Sequence, residues 1–279
     1  MKTRCFILVF ISLSLTARAF ATPPSVVRER ASLWLDASQT NGLRESDAHI
    51  TGLCDPRDSN RVALASQPLA ATCLIRDAHL ASLEIPEQRW LTFPDTTNIV
   101  AAFWVIQTRN PALFLLGRTA KTYDFHRNMQ TGELWDQRYT SPAILAGATF
   151  LNGRRVDGLS TTLPETRALV SLAVPAPVAA NTLSCDRSIP SRAGNLRFSE
   201  LILFTTPLTT NDMLAVERYL AAKWAITDYA EQRDLPQEPP LRTWADPAAP
   251  GALLPPDEID CQWKTLAYDL TQRERFAQF

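Results

Sequence analysis

Along most of this chain apolar side chains alternate with polar ones or gather in short unbroken runs, and both patterns predict β-strands. Leu33 and Leu35 flank Trp34 in a first short strand, and residues 36–42 read as the turn after it. Residues 44–80 are polar and punctuated by proline, which predicts long loops with at most one short strand. The run IVAAFWVI at 99–106 and a second run at 112–116, divided by Arg109-Asn110-Pro111, predict neighbouring antiparallel strands. Residues 144–151 lead into Asn152-Gly153, a pair that accepts positive φ and so marks a tight hairpin, with 155–159 returning. Residues 168–174 and 196–204 complete the set. The last alternates at its start and becomes continuously apolar, as a strand does when it passes from an exposed edge into a core.

Helical spacing stands out once. Met213, Val216, Leu220 and Trp224 fall on one stripe; Thr209 is placed to cap the helix, and Asp212 complements its positive end. Arg218 and Lys223 are expected off that stripe, toward the negative C-terminal half. The pattern predicts an amphipathic helix laid on a sheet edge, without the strong basic face of a membrane-surface helix. Residues 229–256 then form a Pro-rich linker or strap, and 257–279 space Leu266, Leu270 and Phe276 as a short C-terminal helix.

The 279 residues are 46% hydrophobic and 20% charged, enough apolar surface for a sizeable core and too much for a disordered chain. A formal net charge of −1 supplies no basic field for nucleic acid or an anionic membrane. The opening MKTRCFILVFISLSLTARAFA has the three parts of a secretory signal: Lys2 and Arg4, an apolar run over 5–15, and Ala19-Phe20-Ala21 as cleavage site. As a helix that run is about 16 Å long, roughly half a hydrocarbon core. Residues 1–21 therefore read as a cleaved signal peptide, and the mature protein as secreted, periplasmic or at the cell surface. Cleavage removes three positive charges and Cys5, leaving Cys54, Cys73, Cys185 and Cys261. An even count in an exported chain favours disulfides; three pairings are open, with Cys54–Cys73 and Cys185–Cys261 preferred. Zinc is disfavoured, because neither Cys-x-x-Cys nor His-x-x-x-His occurs.

Four segments taken together carry a resemblance. LWLDAS at 33–38, LFLLGRTAKTYDFHRN at 113–128, FLNGRRVDG at 150–158 and SELILFTTPLTTNDMLAVERYLAAKW at 199–224 resemble the laminin-G-like, concanavalin A-like jelly-roll domains of bacterial exported proteins. The resemblance covers 26–228. It implies an all-β fold, an antiparallel two-sheet jelly-roll sandwich over 22–228, followed by the Pro-rich tail. It also implies a concave face or loop tips that bind carbohydrate or a protein partner. Residues 44–80 and the tail after 228 depart from the family pattern, and such a likeness informs fold more than function.

Concanavalin A-like folds include glycoside hydrolases, which work with two carboxylates flanking the scissile bond. The nearest approximation to their strand motif, Glu258-Ile259-Asp260-Cys261-Gln262-Trp263, has Trp263 where its last acid belongs and reads as chance. A Gly-x-Ser-x-Gly elbow, His-Glu-x-x-His and a Walker loop are all missing, and His49, His79 and His126 suggest no triad. In Tyr123-Asp124-Phe125-His126-Arg127, strand alternation sets Asp124 and His126 on one face, either to hold a sugar hydroxyl or as a satisfied pair within the sandwich. Trp135 suits stacking on a sugar ring and, equally, plugging the core. Trp34, Trp104 and Trp224 read as core. No cofactor is assigned; calcium on loop Asp and Asn oxygens fits the composition, but no ordered Asp-rich loop specifies it. The chain therefore points first to an exported, non-catalytic module that binds carbohydrate or a cell-surface polymer. Second comes a structural or adhesive module meeting another exported protein through its tail, and third a hydrolase or lyase on the same fold.

Overall fold

The computed structural model describes residues 21–77, 80–108, 114–120 and 124–230. A short helix α1 (Ser25–Arg30) precedes β1 (Leu33–Asp36), followed by β2 (Leu43–Ser46), β3 (His49–Asp55), β4 (Asp58–Ala70), β5 (Leu74–Asp77) and β6 (Leu80–Ile85). Next come the long β7 (Leu91–Thr108), the two-residue β8 (Leu116–Gly117), the one-turn helix α2 (Pro142–Leu145) and the hairpin of β9 (Ala148–Leu151) and β10 (Arg154–Val156). The long β11 (Ala168–Leu183), β12 (Leu196–Phe204) and helix α3 (Thr210–Trp224) end the series. The body is all-β, with its strands in one antiparallel, curled sheet.

The curl comes from β7 and β11. They run side by side from Ile106 opposite Ala168 to Leu91 opposite Leu183, and each serves two sets of neighbours. One half belongs to the order β10-β9-β11-β7-β12-β6-β5, with β1 beside the second part of β12. At the other end Leu91 and Thr92 pair with β4, which continues to β3 and β2, while Thr182 and Leu183 pair with β8. Between these ends the register shifts after Ala173, where β11 carries Pro175 and Pro177. Proline has no N–H for a ladder, and bulges bend a sheet. Side chains from both ends then meet in one core, Leu35, Trp104 and Leu201 with Leu53, Ala63 and Leu115.

The opposite face of the β1, β7 and β12 region is also buried. Ala102, Trp104 and Ile106 face the inner core, whereas Ala101, Phe103 and Val105 pack beneath the helices with Ile202 and Phe204. Burial on both faces is why IVAAFWVI reads as an unbroken apolar run. Helix α3 lies over this second face through Met213, Val216, Leu220 and Trp224. Its start is fixed by a capping box: Thr209 Oγ1 accepts the Asp212 N–H and the Asp212 carboxylate accepts the Thr209 N–H, both at 3.1 Å. The chain then returns to the Asn152-Gly153 turn, where the Ala230 N–H donates to Asn152 O at 2.9 Å. That turn has positive φ at both residues, 51° and 80°, as its sequence predicts.

Several expectations are corrected. Residues 44–80 contain four strands, β2 to β5. They escape a burial pattern because β2 and β4 are largely exposed, and the β2–β3 turn uses Asp47 and Ala48 at φ 51° and 60° without glycine. Residues 116–117 pair with β11, not with 99–106. Strand β12 is interior along its length, between β7 and the successive β6 and β1. Helix α3 covers a sheet face rather than an edge. Lys223 points inward, with a side chain only 6% exposed. The Cys54–Cys73 bridge is not formed: Cys54, Cys73 and Cys185 are free thiols. Cys54 lies level with Val62 and His49 with Ala70, so β3 separates the level of Cys54 from the end of β4 that leads to Cys73. Five residues of strand span about 16 Å, so the end of β4 that leads to Cys73 lies well away from Cys54. Residues 1–20, His79, Tyr123 and everything past 230, including Cys261, Glu258 and Asp260, lie outside the described residues.

Candidate functional site

Residues 124–141 and 184–194 are connections, not strands, apart from short turns and isolated bridges. The alternation expected for 123–127 therefore does not apply, and Asp124 and His126 go to different places. Asp124 Oδ2 accepts the Ala179 N–H at 2.9 Å, and its carbonyl accepts the Ser141 N–H, so this residue ties the connection to β11. His126 is 7% exposed, its ring set edge-on to Phe114 at 4.9 Å and tilted against Tyr139 at 5.0 Å. Trp135 is 2% exposed and donates from Nε1 to Thr149 Oγ1 at 2.8 Å. Of its two uses, the structure shows the core plug.

His126 opens onto a cleft of about 610 Å³ whose lining includes Asn128, Gln130, Tyr139, Arg187 and Arg192. Local hydrogen bonding shapes each wall. Asn128 Oδ1 accepts the N–H groups of Gln130 and Thr131. The buried Arg127 guanidinium donates to the Gly132 and Glu133 carbonyls, holding this turn from behind. Burial lowers Arg127 to about 10, with Glu133 pulling the other way. Asp136 Oδ1 accepts the Arg138 and Tyr139 N–H groups at 2.7 and 3.1 Å, fixing the turn that presents Tyr139, whose ring belongs to a residue 48% exposed.

Across the cleft the loop after β11 holds Arg187 and Ser188 at φ 51° and 58°, a conformation that ordinary side chains rarely adopt. Asp186, almost fully buried, anchors it by ion-pairing with Arg187 at 3.0 Å and Arg192 at 2.8 Å. Two guanidinium groups thus converge on one carboxylate in this wall. Burial pushes His126 below its ordinary value, opposed chiefly by Asp186, so the imidazole favours its neutral form. The cleft thus combines an exposed aromatic ring, amide side chains and guanidinium donors, the groups that stack on and hydrogen-bond a polyhydroxyl ligand. Among the described residues, no group of three or more His, Cys, Asp and Glu is placed to hold a metal ion.

A second polar cluster lies buried beneath α3. Asp36 and Glu200 are 0% exposed. Lys223 Nζ lies 2.5 Å from Asp36 Oδ2 and 2.7 Å from Glu200 Oε2. Glu200 also accepts from Trp34 Nε1 at 2.7 Å, Tyr219 OH at 3.2 Å and Trp224 Nε1 at 2.6 Å. Burial, then the neighbouring Asp36, push Glu200 up to about 7 against the pull of Lys223 and Trp224. Strict alternation puts Phe198 and Glu200 on one face; the bulge between them sends Phe198 to the inner core and Glu200 to the helix side. That slip hid the cluster from sequence reading, although Asp36 alternates with Leu35 and Lys223 follows Tyr219 by one helical turn.

Compared with known protein families, curated sequences and solved structures, the chain gives no match.

Proposed function

We propose that this protein is an exported, non-catalytic binding module for carbohydrate or a cell-surface polymer, and that its ligand occupies the His126–Tyr139 cleft. In this reading the curled sheet is a jelly-roll sandwich of the laminin-G-like, concanavalin A-like kind, and residues 1–21 are a cleavable signal. The observation that carries it is the lining: an exposed tyrosine ring beside Asn128, Gln130, Arg187 and Arg192 around about 610 Å³ of space. The guanidinium donors of Arg187 and Arg192 in this lining favour sugars bearing carboxylate groups over neutral ones. Asp136 is the one carboxylate-bearing residue in the described lining, and its Oδ1 holds backbone amides; glycoside hydrolysis ordinarily needs a pair.

Affinity electrophoresis of the mature protein through gels of neutral and uronate-containing polysaccharides tests this. Retardation by at least one acidic polysaccharide is expected. Tyr139→Ala should weaken it by about fivefold to tenfold, the loss of one ring contact worth roughly 1 kcal/mol. Migration unaffected by any polysaccharide, or retardation that survives Tyr139→Ala and Gln130→Ala unchanged, overturns the assignment.

A further inference from the structure

Lys223 is positioned to react as well as to pair. Its amine touches two fully buried carboxylates, and the aromatic side chains of Trp34, Tyr219 and Trp224 enclose the group. We propose that Lys223 Nζ and the Asp36 carboxyl condense to an intramolecular isopeptide bond, with Glu200 moving the protons, so that helix α3 is covalently tied to strand β1.

Three features of the geometry support the bond. Asp36 presents its two oxygens differently. Oδ2 lies 2.5 Å from Nζ, while Oδ1 accepts the Ser38 N–H at 3.0 Å and the Ser38 hydroxyl at 2.6 Å. When Nζ adds to Cγ, charge developing on Oδ1 meets two donors already in place. Glu200 is held by three donors besides lysine, which leaves Oε2 fixed 2.7 Å from Nζ as the proton carrier. Finally, nucleophile and electrophile share a site closed to water, where proximity substitutes for concentration. Buried ions are costly, and condensation replaces an ammonium and a carboxylate with a neutral amide. Cys54, Cys73 and Cys185 are free, so an amide would supply a covalent staple where these thiols supply none.

The step balances without another reactant. The Lys223 ammonium gives one proton to Oδ2, leaving an amine beside an uncharged carboxyl. The amine lone pair attacks Cγ, and the carbonyl electron pair moves onto Oδ1. Glu200 Oε2 takes a proton from the new C–N centre and passes it to Oδ2. Re-forming the carbonyl breaks the Cγ–Oδ2 bond and releases water. One C–N bond replaces one C–O bond, nothing is oxidised or reduced, and Glu200 ends as it began.

Trypsin digestion of the denatured wild-type protein, followed by mass spectrometry, tests the bond directly. The expected product is a branched peptide joining 31–44 to 219–233, lighter than the two parts by one water, with cleavage after Lys223 blocked. Lys223→Arg should abolish it, and Asp36→Asn should form it with loss of ammonia instead of water. Glu200→Gln, checked for folding by near-ultraviolet circular dichroism, should leave the peptides separate. Full recovery of unlinked 31–44 and 219–223 from wild-type protein overturns the proposal. A folded Glu200→Gln variant that links as completely as wild type overturns the role given to Glu200.

Discussion

His126 shows how one side chain couples burial to acidity. Its folded-state value lies below the ordinary 6.5, with burial as the main cause. The unfolded chain therefore takes up the proton first, so the stability tied to neutral His126 is complete above pH 6.5 and is lost as pH falls below it. Denaturant titrations between pH 7.5 and 5 on wild type and His126→Gln are expected to show a steeper loss for wild type; parallel curves contradict the assignment. Gly158 offers a steric counterpart. A Cβ there would meet Trp135 Cδ1 at 2.1 Å, and that indole is pinned by its bond to Thr149. Gly158→Ala should cost about 1–3 kcal/mol in chemical unfolding, the usual range for overpacking.

Among the elements, α3 was the most legible in the sequence, because its cap and its apolar stripe are local signals. Thr209→Ala removes the side chain that receives the Asp212 N–H and should lower stability by about 1 kcal/mol, read from the denaturation midpoint. The Asn152-Gly153 hairpin and β12 were legible for the same reason. What sequence could not show is set by partners far away. Strands β2 and β4 bury few side chains, Ala63 and Leu69 among them, and take their place largely from ladder pairing. Residues 123–127 alternate like a strand in sequence, yet the described part, 124–127, folds as a connection instead. Within the cleft, Tyr139, Arg187 and Arg192 are brought together from two loops, so no spacing announces them. Lys223 escaped because a long aliphatic stem reaches inward under a helix whose polar face looked solvated.

At the scale of the molecule, the thiols report how tightly the curled sheet closes. Cys54 and Cys185 are buried and Cys73 is half-exposed. Iodoacetamide should modify Cys73 in the native protein and reach Cys54 and Cys185 only after unfolding, as peptide mapping would show. Native labelling of all three at equal rates contradicts the closed core. The placement of β1 has a different consequence. Leu33 pairs with Leu203 and Asp36 with Glu200, so the first strand has to wait for one of the last. A chain emerging from the ribosome in order is short of this partner until its synthesis is well advanced, and such high contact order slows folding. A polypeptide built this way keeps its first strand without a ladder partner until residues 200–203 exist, so its topology postpones closure of the sheet to the last part of synthesis.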